Sequence, residues 1–397
     1  MKLLIINRYG PPDLSPTARL VGDLAARWRE EGYEVEICAG LGYQSQHRGA
    51  LRAFSEARAW WDLAWRALRV PDVQRVVVFS SPAMVLLLGV GVGILRKAPV
   101  WHWVMDLYPD VAHALGVRLP GWVWIWARMW MRAALMRCQR VVAVSPAMKK
   151  ILAERYDVEA EVVYPWPDPL VFSQPISHQT AEKVWLYSGN LGRAHDVDTL
   201  LAIQEELEKH GNDWTLCVQG SGSGWERIRA EASRQGLKRV ECRGRVEADQ
   251  LLEVIAGAAV RVVTLRPEAS GLLWPSKWAL VGAMASLGAP ALWIGPVEDA
   301  THPLEELRNH LKADRNDDLK DDRKDDLKCQ LKGAAYLTPG QAVEAAHWIM
   351  NVVHASDLKR GWTAQQHGAL MECVDLMRTR GLDRWSRWAA EAKATPL

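Results

Sequence analysis

The run Tyr187-Ser188-Gly189-Asn190-Leu191-Gly192-Arg193-Ala194-His195-Asp196 brings together residue types suited to holding an anion. An apolar stretch, Val184 to Tyr187, leads straight into the glycines, and Asp196-Val197-Asp198-Thr199-Leu200-Leu201 reads as the opening of a helix. A strand, a glycine turn and a helix N-terminus present backbone N–H groups and the positive end of a dipole to negative charge. Gly189 and Gly192 let the backbone approach that charge closely, and Arg193 adds a planar fork of donors that matches phosphate. The plain alternative is an ordinary strand-to-helix turn. A second phosphate-type motif about eighty residues downstream, where a doubly wound fold would need it, favours the anion site.

The elements that would position this turn are legible as alternating strands and helices. In the N-terminal half, Lys2 to Ile6, Tyr33 to Cys38, Val76 to Phe79, Val100 to Met105 and Arg140 to Val144 read as strands. Thr17 to Glu31 reads as an amphipathic helix, and Ser145-Pro146 opens another that reaches about Arg155. A proline-rich linker, Tyr164 to Pro175, precedes a second series with strands near Val184 to Tyr187, Thr215 to Gln219, Val240 to Arg243, Val260 to Leu265 and Pro290 to Ile294. This alternation predicts an α/β protein with parallel, doubly wound sheets. The expected division is a Rossmann-like domain over 1–170, a second over 171–375, and a C-terminal helix over 376–397 packing back. A charged near-repeat, Asp317-Asp318-Leu319-Lys320 and Asp325-Asp326-Leu327-Lys328, marks a solvated insert at about 313–332, and Ala342 to Ala392 reads as a helical tail.

A chain of 397 residues has room for two such domains, and its net charge of +2 argues against nucleic acid as the main partner. The six cysteines (Cys38, Cys138, Cys217, Cys242, Cys329, Cys373) are dispersed without a CxxC pair or a His/Cys cluster. Free thiols in a reducing compartment follow, with no metal site expected. The first apolar run is too short for a signal peptide, so the expected location is the cytoplasm. Val76 to Leu95 is uncharged, but Ser80-Ser81-Pro82 divides it into pieces too short to span a bilayer, which takes about twenty helical residues.

The residues after Gln219 narrow the choice further. Gln219-Gly220-Ser221-Gly222 ends a strand; Leu237-Lys238-Arg239-Val240, Arg243-Gly244-Arg245-Val246, Leu251 to Ala259 and Arg266-Pro267-Glu268 follow in order, and Gly271-Leu272-Leu273-Trp274-Pro275-Ser276-Lys277 comes last. This order resembles the C-terminal domain of the family 4 retaining glycosyltransferases, in particular the bacterial branch that builds cell-surface polysaccharides. The likeness runs from about residue 3 to about 296 and includes Tyr9-Gly10-Pro11-Pro12, the Gly32 to Val35 strand entry, Asp106-Leu107-Tyr108-Pro109-Asp110 and Val144-Ser145.

The resemblance implies the GT-B fold: two Rossmann-like domains facing across a cleft, with C-terminal helices crossing back to the first. It implies transfer of a hexose-type sugar from a nucleotide diphosphate donor, UDP rather than GDP, to a hydroxyl, without a metal cofactor. Carried over by position, Gly189, Asn190, Gly192 and Gly220 lie under the donor diphosphate with Arg193 facing its charge. Lys277, beside Ser276, is the second cation. Glu268, Ser270, Gly271 and Leu272 lie where the family holds the donor sugar, and Asp106 lies near that sugar. Asp106, Glu268, Arg193 and Lys277 form the implied catalytic set. Against these roles stand a snorkelling surface lysine at Lys277 and a helix cap at Asp106. One departure is plain: the family's second glutamate, eight positions after the first, has no counterpart, since no acid occurs between Glu268 and Glu298. A catalytically silent scaffold of the same fold is therefore a rival reading, and a nucleotide-sugar epimerase is another.

Tryptophan is the remaining anomaly, with 21 in the chain and four between Trp122 and Trp130. On a helix Trp122, Trp126 and Trp130 form one stripe, with Arg128 and Arg132 close by. Such a helix suits the headgroup level of an anionic bilayer. Peripheral attachment to the inner face of the cytoplasmic membrane would bring the enzyme to a polyprenyl-diphosphate-linked glycan acceptor. The alternative is a tryptophan-rich helix buried against the sheet.

Overall fold

Short β-branched runs build the first sheet: β1 (Lys2–Asn7), β2 (Glu34–Ala39), β3 (Arg75–Val78), β4 (Val100–Val104), β5 (Arg140–Ala143) and β6 (Glu161–Val162). They pair in parallel in the order β2-β1-β3-β4-β5-β6, and every residue of β3 and β4 is buried, as in a sheet covered on both faces. The connecting helices are α1 (Pro16–Glu30), α2 (Ala50–Arg69), α3 (Val85–Arg96), α4 (Asp110–Ala114), α5 (Gly121–Leu135) and α6 (Pro146–Tyr156). Ser15 and Ser145 cap α1 and α6, accepting from the N–H of Ala18 and Met148, each with proline at the first helical position.

The second sheet holds β7 (Glu182–Asn190), β8 (Thr215–Ser221), β9 (Val240–Arg243), β10 (Ala258–Thr264), β11 (Ala291–Ile294) and β12 (Ala334–Leu337), in the order β12-β11-β10-β7-β8-β9. Its helices are α7 (Val197–Lys209), α8 (Ser223–Gln235), α9 (Ala248–Gly257), α10 (Lys277–Ser286), α11 (Ala342–Val352) and α12 (Ala364–Ala394). Trp185, Tyr187, Leu200, Leu216, Val260 and Leu292 stand at the centre of one core that joins this sheet to α7 and α11.

The computed structural model describes residues 1–13, 15–40, 50–168, 171, 182–300, 334–352 and 364–394. They fall into two compact units: Met1–Trp166 with Gly271–Trp274 and Met377–Leu397, and Pro167–Ser270 with Pro275–Leu376. The last helix thus ends in the first unit, where Trp385 packs 6.1 Å from Trp28, 6.2 Å from Trp101 and 5.3 Å from Trp103, ring centre to ring centre. In the first sheet the chain reverses direction between β1 and β3, and in the second between β7 and β10. Doubly wound sheets bind ligands outside the carboxyl ends of strands at such a reversal.

Several elements differ from the sequence reading. β7 continues through Ser188, Gly189 and Asn190, because β8 pairs with it residue for residue as far as Ser221. α2 and the short strands β6 and β12 were not foreseen, and the tail contains two helices, α11 and α12, rather than one run. The uncharged stretch does divide at Ser81-Pro82, giving β3 and the short α3. Among the described residues no helix is long and apolar enough to cross a membrane. The charged insert at 313–332 and most of the proline-rich linker's second half lie outside the described residues.

Candidate functional site

The reversal point of the second sheet carries the anion motif. Gly189 and Gly220 sit side by side on β7 and β8 with φ of +128° and +132°, a region that side chains other than glycine's rarely enter. A Cβ at Gly220 would lie 2.1 Å from the Gly189 carbonyl oxygen, and one at Gly189 would lie 2.9 Å from the Lys277 Cε. The glycines therefore leave the space that the lysine stem fills. Lys277 is the first residue of α10, and its Nζ lies 3.4 Å from the Asn190 carbonyl oxygen, 3.5 Å from His195 Nε2 and 5.0 Å from the centre of the Tyr187 ring.

His195 completes this group, and the sequence reading had given it no role. Its Nδ1 lies 2.6 Å from the Thr264 carbonyl oxygen, so that nitrogen carries the proton and Nε2 turns its lone pair toward Lys277. Burial and the lysine's charge push the imidazole down to about 3, which keeps it neutral. Burial also pushes the Lys277 ammonium down to about 8. No carboxylate pairs with Lys277 among the described residues. A lysine ringed by a carbonyl, an imidazole and an aromatic face is a cation short of negative charge.

The turn supplies further donors. Among the described residues nothing accepts from the backbone N–H of Gly192 or Arg193, and the Arg193 side chain is exposed without an ion pair. The end of α7, in contrast, is closed by its own cap: Asp196 accepts from the Thr199 N–H at 3.1 Å and from its hydroxyl at 2.6 Å. The expectation that this helix end faces an anion thus meets a carboxylate already there, and the free donors are those of the turn. Arg266, just past β10, donates its N–H to the Ala194 carbonyl at 2.8 Å and ties the two strand ends together.

The other expected donor residues divide between the units. Glu268 is exposed on a short turn, Pro267–Ala269, 3.4 Å from the Arg266 guanidinium. The Ser270 hydroxyl donates to the buried Asp299 carboxylate at 2.7 Å, a partner that no sequence signal had indicated. Ser276 is exposed at the cap of α10. Gly271 and Leu272 group with the first unit, where the Leu107 N–H donates to the Leu272 carbonyl at 2.7 Å. Eight positions after Glu268 stands the exposed Ser276, so burial does not account for the missing second glutamate, while the rest of α10 is buried from Trp278 to Ala285.

In the first unit Asp106 follows β4 and bridges Leu273 in antiparallel fashion. Burial raises its carboxyl to about 6, and no cation pairs with it among the described residues. It borders a small cavity with Ser80, His102, Tyr108, Met84 and Met131. His102 is held neutral there: its Nδ1 lies 2.9 Å from the Val78 carbonyl, and burial pushes it down to about 4. Asp110 is the structural acid of this loop, accepting from Arg128 Nε at 3.0 Å, from Arg155 at 3.2 Å and from the Tyr156 hydroxyl.

The α5 stripe faces outward. Trp122, Trp126 and Trp130 are 66%, 52% and 57% exposed, and only Trp124 of the four turns in. Arg128 and Arg132, expected beside them as lipid contacts, are drawn to Asp110 and to Asp157 at 3.1 Å. Among the described residues no group of three or more His, Cys, Asp or Glu side chains is gathered to hold a metal ion.

Residues 17–169 match the profile of Glycosyltransferase Family 4. The fold is similar to sucrose-phosphate synthase from Thermosynechococcus elongatus, at 13% identity and a TM-score of 0.64 over 99% of each chain. It is also similar to α,α-trehalose 6-phosphate synthase from Burkholderia multivorans, at 11% identity and 0.62 over 100% of this chain and 99% of that one. Anabaena HepE in complex with UDP gives 12% and 0.58 over 98% of this chain and all of that one. No curated protein sequence matches the chain significantly. Residues 17–169 are thus similar to that family, and the two six-stranded parallel sheets are those of the GT-B fold.

Proposed function

We propose that the turn after β7 and Lys277 hold the diphosphate of a nucleotide-sugar donor, and that the enzyme moves a hexose-type sugar from it with retention of anomeric configuration. The observation that carries this reading is Lys277 itself, an ammonium without a carboxylate partner beside glycines that leave room and N–H groups that lack acceptors. During transfer the bond from the anomeric carbon to the diphosphate breaks, and the acceptor oxygen bonds to that carbon on the same face. The leaving diphosphate gains negative charge, and fixed cations and N–H donors stabilise it without reorganising. The acceptor's hydroxyl proton passes to a phosphate oxygen, so the step balances without an enzyme base. Gly189, Asn190, Gly192, Gly220, Arg193, Ser276 and Lys277 form the proposed donor site. Glu268, Ser270, Gly271 and Leu272 are proposed to hold the sugar, and Asp106 is proposed as a further catalytic residue.

UDP is the proposed nucleotide, supported by the similar fold that binds UDP in HepE. The proposed acceptor is a polyprenyl-diphosphate-linked glycan in cell-surface polysaccharide synthesis, at the inner face of the cytoplasmic membrane. The outward tryptophans of α5 support that location. A silent scaffold draws on the absence of any acid between Glu268 and Glu298 that could hold a ribose. Calorimetry against a panel of UDP- and GDP-sugars, followed by turnover with those that bind, decides between them. Binding that Lys277→Met weakens, with product whose anomeric configuration matches the donor, is the expected result. No binding of any nucleotide sugar would overturn the proposal.

A further inference from the structure

The exposed tryptophans of α5 belong to a wider face. In the first sheet β2 connects to β3, β3 to β4 and β4 to β5 in one direction across the sheet, while β1 connects to β2 in the other. Right-handed crossovers therefore place α2, α3 and α5 together on one side and α1 on the other. α3 packs between the two remaining helices of that trio, and the Arg96 guanidinium at its end donates to the Leu68 carbonyl of α2 at 2.7 Å. All three helices turn apolar side chains to solvent. α2 adds Trp61, Trp65 and Leu68 at helical spacing, with Trp61 74% exposed, and α3 adds Ile94 and Leu95 at its C-terminal end. Folding within this unit leaves these large apolar side chains uncovered on three neighbouring helices, a pattern that marks an interaction site.

Charge decides the occupant. α3 and α5 contain no acidic residue, and on α2 the Asp62 carboxylate is held by Arg66 at 3.0 Å. Lys97, Arg118 and Arg137 lie at the ends of α3 and α5, exposed and without an ion pair among the described residues. The sequence of α2 has four arginines against two acids, Glu56 and Asp62. An apolar face dominated by tryptophan with cations in excess complements a bilayer whose surface is anionic, with indoles at headgroup depth and cations among the phosphates.

We infer that α2, α3 and α5 together form a membrane-docking face for acidic lipid, with Lys97, Arg118 and Arg137 as its headgroup contacts in place of Arg128 and Arg132. The inference rests on the membrane location proposed above but not on the chemistry of the donor site. Flotation tests it, with vesicles of phosphatidylcholine alone or with about one-third phosphatidylglycerol. Wild type is expected to float with the acidic vesicles, and at least ~10-fold less with the neutral ones. Trp61→Ser/Trp65→Ser and Trp122→Ser/Trp126→Ser/Trp130→Ser should each lose flotation while keeping wild-type melting, because these side chains point away from the core. Lys97→Glu/Arg118→Glu should lose it without touching a tryptophan. A wild type that stays unbound at low salt overturns the proposal, as does a Trp61/Trp65 variant that floats like wild type. Concentration-dependent dimers in sedimentation velocity, without flotation, would assign the face to a second copy instead. Calorimetry with UDP on the same samples separates the two readings: UDP binding without flotation sinks this one alone, and flotation without UDP binding sinks only the donor site.

Discussion

Lys277 of the second unit and Asp106 of the first both lie beyond the carboxyl ends of parallel strands, and burial drives each toward neutrality, the ammonium to about 8 and the carboxyl to about 6. Their surroundings differ. Lys277 faces electron-rich groups, the Asn190 carbonyl, His195 Nε2 and the Tyr187 ring, across a strand with no side chain at Gly189. Asp106 is fixed by backbone pairing to Leu273 and borders an apolar cavity containing Val104, Leu107 and Met131. Desolvation acts alike on both, but only the lysine is surrounded by lone pairs. The first arrangement calls for an anion, and the second for a proton.

The largest effect should come from breaking the first arrangement. Lys277→Met is expected to cost about 2–4 kcal/mol in transfer, about 30- to 1,000-fold in turnover, because it deletes a charge whose contact is expected to strengthen as the diphosphate leaves. The same lysine fixes a pH dependence. Its charged form is lost as pH rises through about 8, so UDP affinity should weaken there, and Lys277→Met should abolish that slope. Isothermal titration across pH 7 to 9 checks both.

Glycine substitutions come next. Gly220→Ala forces a Cβ against the Gly189 carbonyl at a positive φ and should destabilise the second unit by about 1–3 kcal/mol. Gly116→Ala, in the first unit, also requires φ of +77° but meets open space, so it should cost only about 1 kcal/mol. Equal melting shifts for the two would show that the strand contact at Gly189 is slack.

Arg193→Ala should cost about 1 kcal/mol of donor affinity, and added salt should erase the difference, because the side chain is exposed and screened. A salt-independent loss as large as that of Lys277→Met would mean that the donor encloses the arginine. The smallest effect concerns Asp106. Its folded carboxyl is raised from 3.8 to about 6, so the folded state holds a proton that the unfolded chain releases, and stability should fall as pH rises across that window. Asp106→Asn should flatten the fall in melting temperature and leave the protein at least as stable at pH 7. A variant with an unchanged profile would show that the carboxyl is well solvated.

Local pattern made much of this legible. The apolar strands near Val76, Val100, Arg140, Thr215 and Val240 begin within a residue or two of the positions that their β-branched runs indicate. The Ser145-Pro146 cap was equally plain, since it depends on adjacent residues, whereas the turn expected after Tyr187 begins only after Asn190, because pairing with β8 extends the strand. β6, with two residues, is too short for a period-two pattern. His195 escaped notice because its meaning rests on Thr264, 69 residues away, which sets the tautomer, and on Lys277, which meets the other nitrogen.

Local sequence dictated that two parallel sheets form and where most of their strands begin, since periodicity, caps and turn residues are local properties. Tertiary structure decided what those residues became. α10 was filled into the core and lost any polar face, Asp299 took the Ser270 hydroxyl, and Asp110 drew Arg128 inward. α5 is apolar on every side, so its periodicity could not say which tryptophans turn in. Tertiary packing settled it, burying Trp124 5.0 Å from the His113 ring and leaving Trp122, Trp126 and Trp130 in solvent, because a helix on a sheet has one face to bury and its neighbours choose which.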